Sequence, residues 1–212
     1  LCRQSLFENE ETLCSACLEG LPTTNYLTVK DNPIQQLFWG RCEIEHAAAM
    51  YFINKHNKVH DLMHLLKYRD KPAVGERLGR RLGNALLDTN SLFDKIDYLV
   101  PVPLHWKKEK LRGYNQSYHV ALGVKEKANI PIDHTNLERR VENISQTKKG
   151  KYERWENVEE IFVLKNPALF KDKHLLLIDD VVTTGATLEA CVHALKNAAC
   201  KVSIFTLATA GA

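Results

Sequence analysis

Residues 175–187, LLLIDDVVTTGAT, carry the most specific chemistry in the chain. An apolar run ends in two adjacent carboxylates, Asp179 and Asp180, and a turn of Thr183, Thr184, Gly185, Ala186 and Thr187 then opens a helix. Such a turn presents unpaired backbone N–H groups at a helix N-terminus, where the dipole and the free donors favour a phosphate. Gly185 lets the backbone come close, and the threonine hydroxyls add donors. Carboxylates one turn from a phosphate would repel it unless they met something else, and ribose hydroxyls or a magnesium ion are the fitting partners. The ligand implied is a sugar phosphate. A Walker loop is excluded because no lysine follows the glycine. The bland alternative is an acidic strand end followed by a threonine-rich helix cap.

These residues need a strand to hold the acids and a helix to aim the turn. Leu175 to Ile178 is a compact apolar run, Leu188, Cys191, Val192 and Leu195 form a helical stripe, and Val202 to Leu207 is a β-branched and aromatic run. Strand, helix and strand at these lengths make a βαβ unit, so the expected class is α/β, a parallel sheet flanked by helices. Upstream, Tyr98 to Val102 is a short strand, and Tyr114, Tyr118, Ala121 and Leu122 give a further helical stripe. Another extended stretch is expected after Pro131. Val59, Leu62, Met63 and Leu66 mark a helix face, and Leu78, Leu82 and Leu86 a second helix that Pro72 opens. The polar segment 145–160 has little periodicity and reads as a long mobile loop.

Composition bounds the rest. The 212 residues hold 29 Lys and Arg against 26 Asp and Glu, a net charge of +3, which is not the footprint of a dedicated nucleic-acid binder. No stretch approaches the roughly 18 apolar residues of a membrane helix, and the opening LCRQSLFENEE lacks the basic start and apolar middle of a secretory signal. A cytoplasmic protein with reduced thiols is expected. Asn115-Gln116-Ser117 and Asn143-Ile144-Ser145 match the glycosylation pattern by chance. The nine histidines form no zincin-like pair and read as helix-surface residues.

The acidic pair, the two spacers Val181 and Val182, and Thr-Thr-Gly-x-Thr resemble the phosphoribosyl pyrophosphate (PRPP) signature of type I phosphoribosyltransferases. That resemblance implies ribose hydroxyls on Asp179 and Asp180 and the 5′-phosphate on residues 183–187. Leu66-Lys67-Tyr68-Arg69, Val100-Pro101-Val102-Pro103-Leu104-His105, Arg112-Gly113-Tyr114-Asn115-Gln116, and Ser145-Gln146-Thr147 with Arg154 and Asn157-Val158 stand in the order typical of the ComF family, over nearly the whole chain. The resemblance implies a phosphoribosyltransferase domain at 26–212, whose residues 26–95 form a hood and helical part, behind a small zinc-binding element at 1–25. It also implies a role in natural transformation, the uptake of DNA by competent bacteria, with competence-machinery proteins as partners.

Transfer from PRPP displaces pyrophosphate at the anomeric carbon, and the leaving group gains negative charge. Positioning, Mg²⁺ and cationic groups are therefore needed. The cations expected at the pyrophosphate are Lys67 and Arg112, beside the turn after Pro103. Segment 145–160 stands where such enzymes have a flap that excludes water. Its Lys148, Lys149, Lys151 and Arg154, with Tyr152 and Trp155, leave open a second role in holding single-stranded DNA, which Glu153, Glu156, Glu159 and Glu160 weaken.

Cys14-x-x-Cys17 is half of a zinc pair, and Cys2 lies upstream. In the ComF pattern the first half is also Cys-x-x-Cys, which would place the partner of Cys2 two positions before Leu1. The fourth ligand is either that residue or one recruited from Cys42, His46 or solvent. Cys42, Cys191 and Cys200 read as interior thiols.

Overall fold

The computed structural model describes residues 2, 12–88, 95–141 and 161–210. Four parallel strands form its main sheet in the order β1-β6-β5-β2: β1 is Ala47–Phe52, β2 Tyr98–Pro101, β5 His174–Val182 and β6 Lys201–Thr209. A short antiparallel pair, β3 (Leu137–Arg139) and β4 (Phe162–Leu164), stands apart from it. The expected parallel sheet flanked by helices is present. The stretch after Pro131 contributes one bridge, Ile132 to Leu99 on β2.

The central strands are covered on both faces, which explains their unbroken apolar runs. Leu176 and Ile178 of β5, with Phe205 and Leu207 of β6, join the core under α3 (Lys58–Tyr68), α4 (Pro72–Asp88) and α6 (Gln116–Ala128). Leu175 and Leu177, with Val202 and Ile204, face the other core, under α2 (Pro33–Gln36) and α7 (Ala186–Leu195). Strand alternation thus builds two cores from one run of residues.

The stripe at 59–66 is buried as expected; of the second, Leu78 and Leu82 are buried and Leu86 is partly buried. The stripe expected at Tyr114, Tyr118, Ala121 and Leu122 is rotated: the buried side of α6 carries Val120, Ala121, Gly123 and Val124. The cause is contact between backbones. A Cβ on Gly79 of α4 would stand 2.1 Å from the Val120 carbonyl oxygen, and one on Gly123 would stand 2.1 Å from that of Glu76. The glycine faces set the rotation of both helices, and the tyrosines are left at the edge.

β1 has no counterpart among the sequence expectations. Its AAAMYF run pairs in parallel with β6, Ala47 opposite Ile204 and Phe52 opposite Thr209. Residues 26–95 therefore supply an edge strand of the main sheet as well as α2, α3 and α4.

Candidate functional site

β2 and β5 lie in register, Pro101 opposite Ile178, so the turn after β2 and the acidic end of β5 emerge at the same carboxyl edge. Open α/β sheets bind ligands at that edge. Asp180 is 4% exposed, and its Oδ2 lies 3.0 Å from Nζ of Lys67 in the last turn of α3. Asp179 Oδ1 accepts from Ser117 Oγ at 3.0 Å and from the Asp180 N–H at 2.8 Å. Asp179 is half-buried. Burial, and then the charge of Asp180, push the Asp179 carboxyl up to about 7 against the pull of the Asp180 N–H, Lys67 and Ser117.

The turn that follows is open. Thr183 and Thr184 are exposed, and residues Val181 to Leu188 with Asp179 line a hollow of about 40 Å³. Gly185 has φ +76 and caps α7; a Cβ there would meet the Phe38 ring at 3.1 Å. Glycine is thus needed for conformation and for space. The Val182 side chain is in the core and its carbonyl accepts from Ala210, so it offers a ligand little. Val181, partly buried, packs against the opposite core. Ala186 and Thr187 form the first turn of α7, where the Ala186 N–H donates to Thr184 Oγ1 at 3.5 Å.

Arg41 braces this turn from outside. Its Nη1 donates to the carbonyls of Thr184 at 2.8 Å and Leu37 at 2.9 Å, and its Nη2 pairs with Glu189 of α7. Sequence reasoning missed Arg41 and Phe38, which stand more than 140 positions from the turn in the chain and carry no local motif. Arg139 of β3 was missed too; burial lowers its guanidinium, while Cys191 and Asp179 act to raise it.

Residues 112–116 act as a joint. Gly113, at φ +87, ends α5 (Trp106–Arg112). The Tyr114 hydroxyl donates to the Leu66 carbonyl of α3. Asn115 caps α6 by accepting from the Ser117 N–H at 2.9 Å, and its Nδ2 donates to the Val102 carbonyl at 3.0 Å. The Asn115-Gln116-Ser117 tripeptide is therefore a buried helix start that ends on Asp179. Arg112 donates to Gln116 Oε1 and lies 5.8 Å from the centre of the Tyr68 ring. Arg112 and Lys67 line one cleft of about 460 Å³ with Tyr68, Asp70, Lys108 and Leu111. His105 departs from the surface role expected of the histidines: it is 5% exposed and caps α5. Residues 145–160 lie outside the described residues.

A model of the phosphoribosyl transferase domain matches residues 123–212. The competence protein ComFC of Bacillus subtilis is 40% identical over 116 residues, covering 54% of this chain and 45% of that protein. The DNA utilization protein YhgH of Escherichia coli is 26% identical over 204 residues, covering 93% of this chain and 84% of that one. The chain is thus similar to ComF-type competence and DNA utilization proteins. Among solved structures, the glutamine PRPP amidotransferase of B. subtilis is similar with a TM-score of 0.47 at 18% identity, over 68% of this chain and 30% of that one. The chain spans less than half the length of its Bacillus ComF relative.

At the N-terminal end of the described residues, Cys2, Cys14 and Cys17 come together. Their sulfurs all lie within 4.8 Å of one another, with Cys2 Sγ 3.4 Å from Cys14 Sγ. Tetrahedral zinc with Zn–S of about 2.3 Å separates its sulfurs by about 3.8 Å, so the three thiols fit one ion. Burial, and then the neighbouring thiols Cys14 and Cys2, raise the Cys17 thiol, a cost that a bound cation removes. Neither Cys42 nor His46 joins this group. Cys42 and Cys200 are half-buried on a cavity of about 570 Å³ beside α7, whereas Cys191 is fully buried. No described helix is long and apolar enough to cross a membrane.

Proposed function

We propose that the chain binds PRPP at the end of β5 and transfers its phosphoribosyl group to an acceptor, acting in DNA uptake. The observation that carries this reading is the acidic pair at the carboxyl edge of the sheet, followed directly by the open Thr183–Gly185 turn and the start of α7. Asp179 and Asp180 would accept from the ribose 2′ and 3′ hydroxyls, and the N–H groups of 183–187 would hold the 5′-phosphate. Lys67, already at Asp180, would steady the pyrophosphate with Arg112 across the same cleft, offsetting its charge as the bond to the anomeric carbon breaks. Mg²⁺, when bound, would screen the same charge, and the carboxylate pair and the PRPP oxygens are donors of the type it takes. Zinc on Cys2, Cys14 and Cys17 would be structural, and the reduced cysteines suit the cytoplasm.

The test is thermal. Ribose 5-phosphate or PRPP should raise the melting temperature of the wild type, and Asp180→Asn or Thr184→Val should abolish the rise. No rise in wild type rejects the reading. Pyrophosphate release from PRPP across a panel of nucleobases and amines would then identify the acceptor class.

A second reading keeps the sugar-phosphate site without catalysis, as a binding protein for single-stranded DNA or competence partners. It is favoured by Tyr68 and Leu111, 67% and 90% exposed on the cleft, and by Trp106, 62% exposed at the start of α5 with Lys107 5.7 Å from its ring. Exposed aromatics between cations suit stacked bases and their phosphates. Binding without pyrophosphate release, and a salt-dependent oligonucleotide affinity lost in Trp106→Ala, would favour it over catalysis.

A further inference from the structure

Away from the sheet edge, three helices build a second concentration of positive charge. Arg77, Arg80 and Arg81 of α4 and Lys127 of α6 face Ser15 and Glu19 of α1 (Ser15–Glu19) around a cavity of about 340 Å³. Arg77 and Arg81 are one helical turn apart and share a face of α4. Lys127 comes close because α4 has Gly83 opposite it, where a Cβ would stand 2.8 Å from that of Lys127. Arg81 Nη1 donates to the Leu18 carbonyl at 2.7 Å, which fastens α1 in place as the facing wall.

Among the described residues the cations there outnumber the carboxylates. Glu126 serves two cations, Arg80 at 3.0 Å and Lys127 at 3.4 Å. Arg77 has no ion-pair partner among the described residues. Among the described residues, four cations thus line a hollow whose wall holds one carboxylate, Glu19, with Glu126 beside it paired to Arg80 and Lys127. Holding like charges together costs energy by mutual repulsion. A concave wall of guanidinium forks recovers it by taking up an anion with several oxygens, and phosphate matches the fork geometry. The cavity shares no lining residue with the hollow at the end of β5 or with the cleft at Lys67, so it is separate from both.

We propose that this cavity is a second phosphate site, which takes a multiply charged phosphate group through Arg77, Arg81 and Lys127. The group belongs either to a small ligand such as pyrophosphate or to the backbone of a single-stranded nucleic acid. The full chain, saturated with ribose 5-phosphate, would be titrated with inorganic pyrophosphate by calorimetry and with a fluorescent oligothymidylate by anisotropy. At least one probe should bind tenfold or more weakly to Arg77→Glu and to the neutral pair Arg77→Ala/Lys127→Ala. Lys171→Glu, an equal change of charge at an exposed position before β5, should bind as wild type does. The melting shift with ribose 5-phosphate should persist in every variant. Loss with the oligonucleotide alone assigns the site to nucleic acid, and loss with pyrophosphate alone assigns it to a small ligand. Unchanged binding of both probes, or an equal loss in Lys171→Glu, overturns the proposal. Should Arg77→Glu fail to fold, the neutral pair decides.

Discussion

Lys67 Nζ lies 3.0 Å from Asp180 Oδ2 and joins the last turn of α3 to the end of β5. The carboxylate is 6% exposed at its side chain and the ammonium 25%, so the pair is shielded from water on one side only. Removing one partner of a buried pair leaves the other charge uncompensated. Lys67→Met should lower unfolding stability by roughly 2 kcal/mol in urea titration, the remaining solvent contact holding the loss below that of a fully enclosed pair. Asp180→Asn should cost less, since its partner can turn to solvent.

The Asp179 carboxyl, raised to about 7 by burial and then by Asp180, makes the protein pH-dependent. Between the ordinary carboxyl value and about 7 the folded chain holds a proton that the unfolded chain has lost. This contribution to stability is full at low pH and disappears as pH rises through 7. Ribose 5-phosphate affinity should run the other way, because the ionised carboxylate is the better hydroxyl acceptor. Affinity measured from pH 5.5 to 8.5 should rise with a midpoint near 7, and Asp179→Asn should flatten it. A pH-independent affinity in wild type would refute the assignment of Asp179 to the ligand.

Ser117→Ala removes the hydroxyl that donates to Asp179 at 3.0 Å and helps to hold its carboxyl down. The midpoint of that affinity profile should move to higher pH. The Asn115 cap, which uses the Ser117 backbone, should survive, so the melting temperature should fall by only a few degrees.

Arg41→Ala should weaken ribose 5-phosphate binding about tenfold, while free ribose, which lacks the phosphate, binds as before. The guanidinium contacts the turn through the Thr184 carbonyl and anchors on Glu189, so its loss frees the turn without touching the acidic pair. Equal weakening of both ligands would show that Arg41 acts on the whole site.

Gly79→Ala should destabilise the fold by about 3 kcal/mol or more, despite the gain in helix propensity, because its Cβ would stand 2.1 Å from a backbone oxygen. Gly75→Ala meets the tip of Leu66 at 3.1 Å and the His119 Cβ at 3.2 Å and should cost less. The two denaturation midpoints give the comparison directly.

Much of this was legible in the chain because it depends on neighbours in sequence. The acids, spacers, threonines and Gly185 lie within nine consecutive positions, so one strand end and one helix start must carry them together. The runs at 175–178 and 202–207 declared buried strands because a strand covered on both faces needs apolar residues without interruption. β1 was hidden because three alanines in succession carry no strand propensity. They are extended because β6 offers them a paired edge between two helical layers.

The sequence by itself determined the α/β class, the acidic strand end with the threonine turn after it, and the cysteine spacing. Each is written in local spacing and in backbone preferences that operate over a few residues. Only the tertiary structure decided that Lys67 would meet Asp180, that Ser117 would hold Asp179, and that Arg41 would brace Thr184. Those contacts join residues 113, 62 and 143 positions apart, and no period or propensity reports on a partner so remote. The packing of α6 on α4 through bare glycine backbone sets the rotation that brings Ser117 to the acid. That rotation follows from which backbones can touch, a property of two helices in contact and of neither sequence alone.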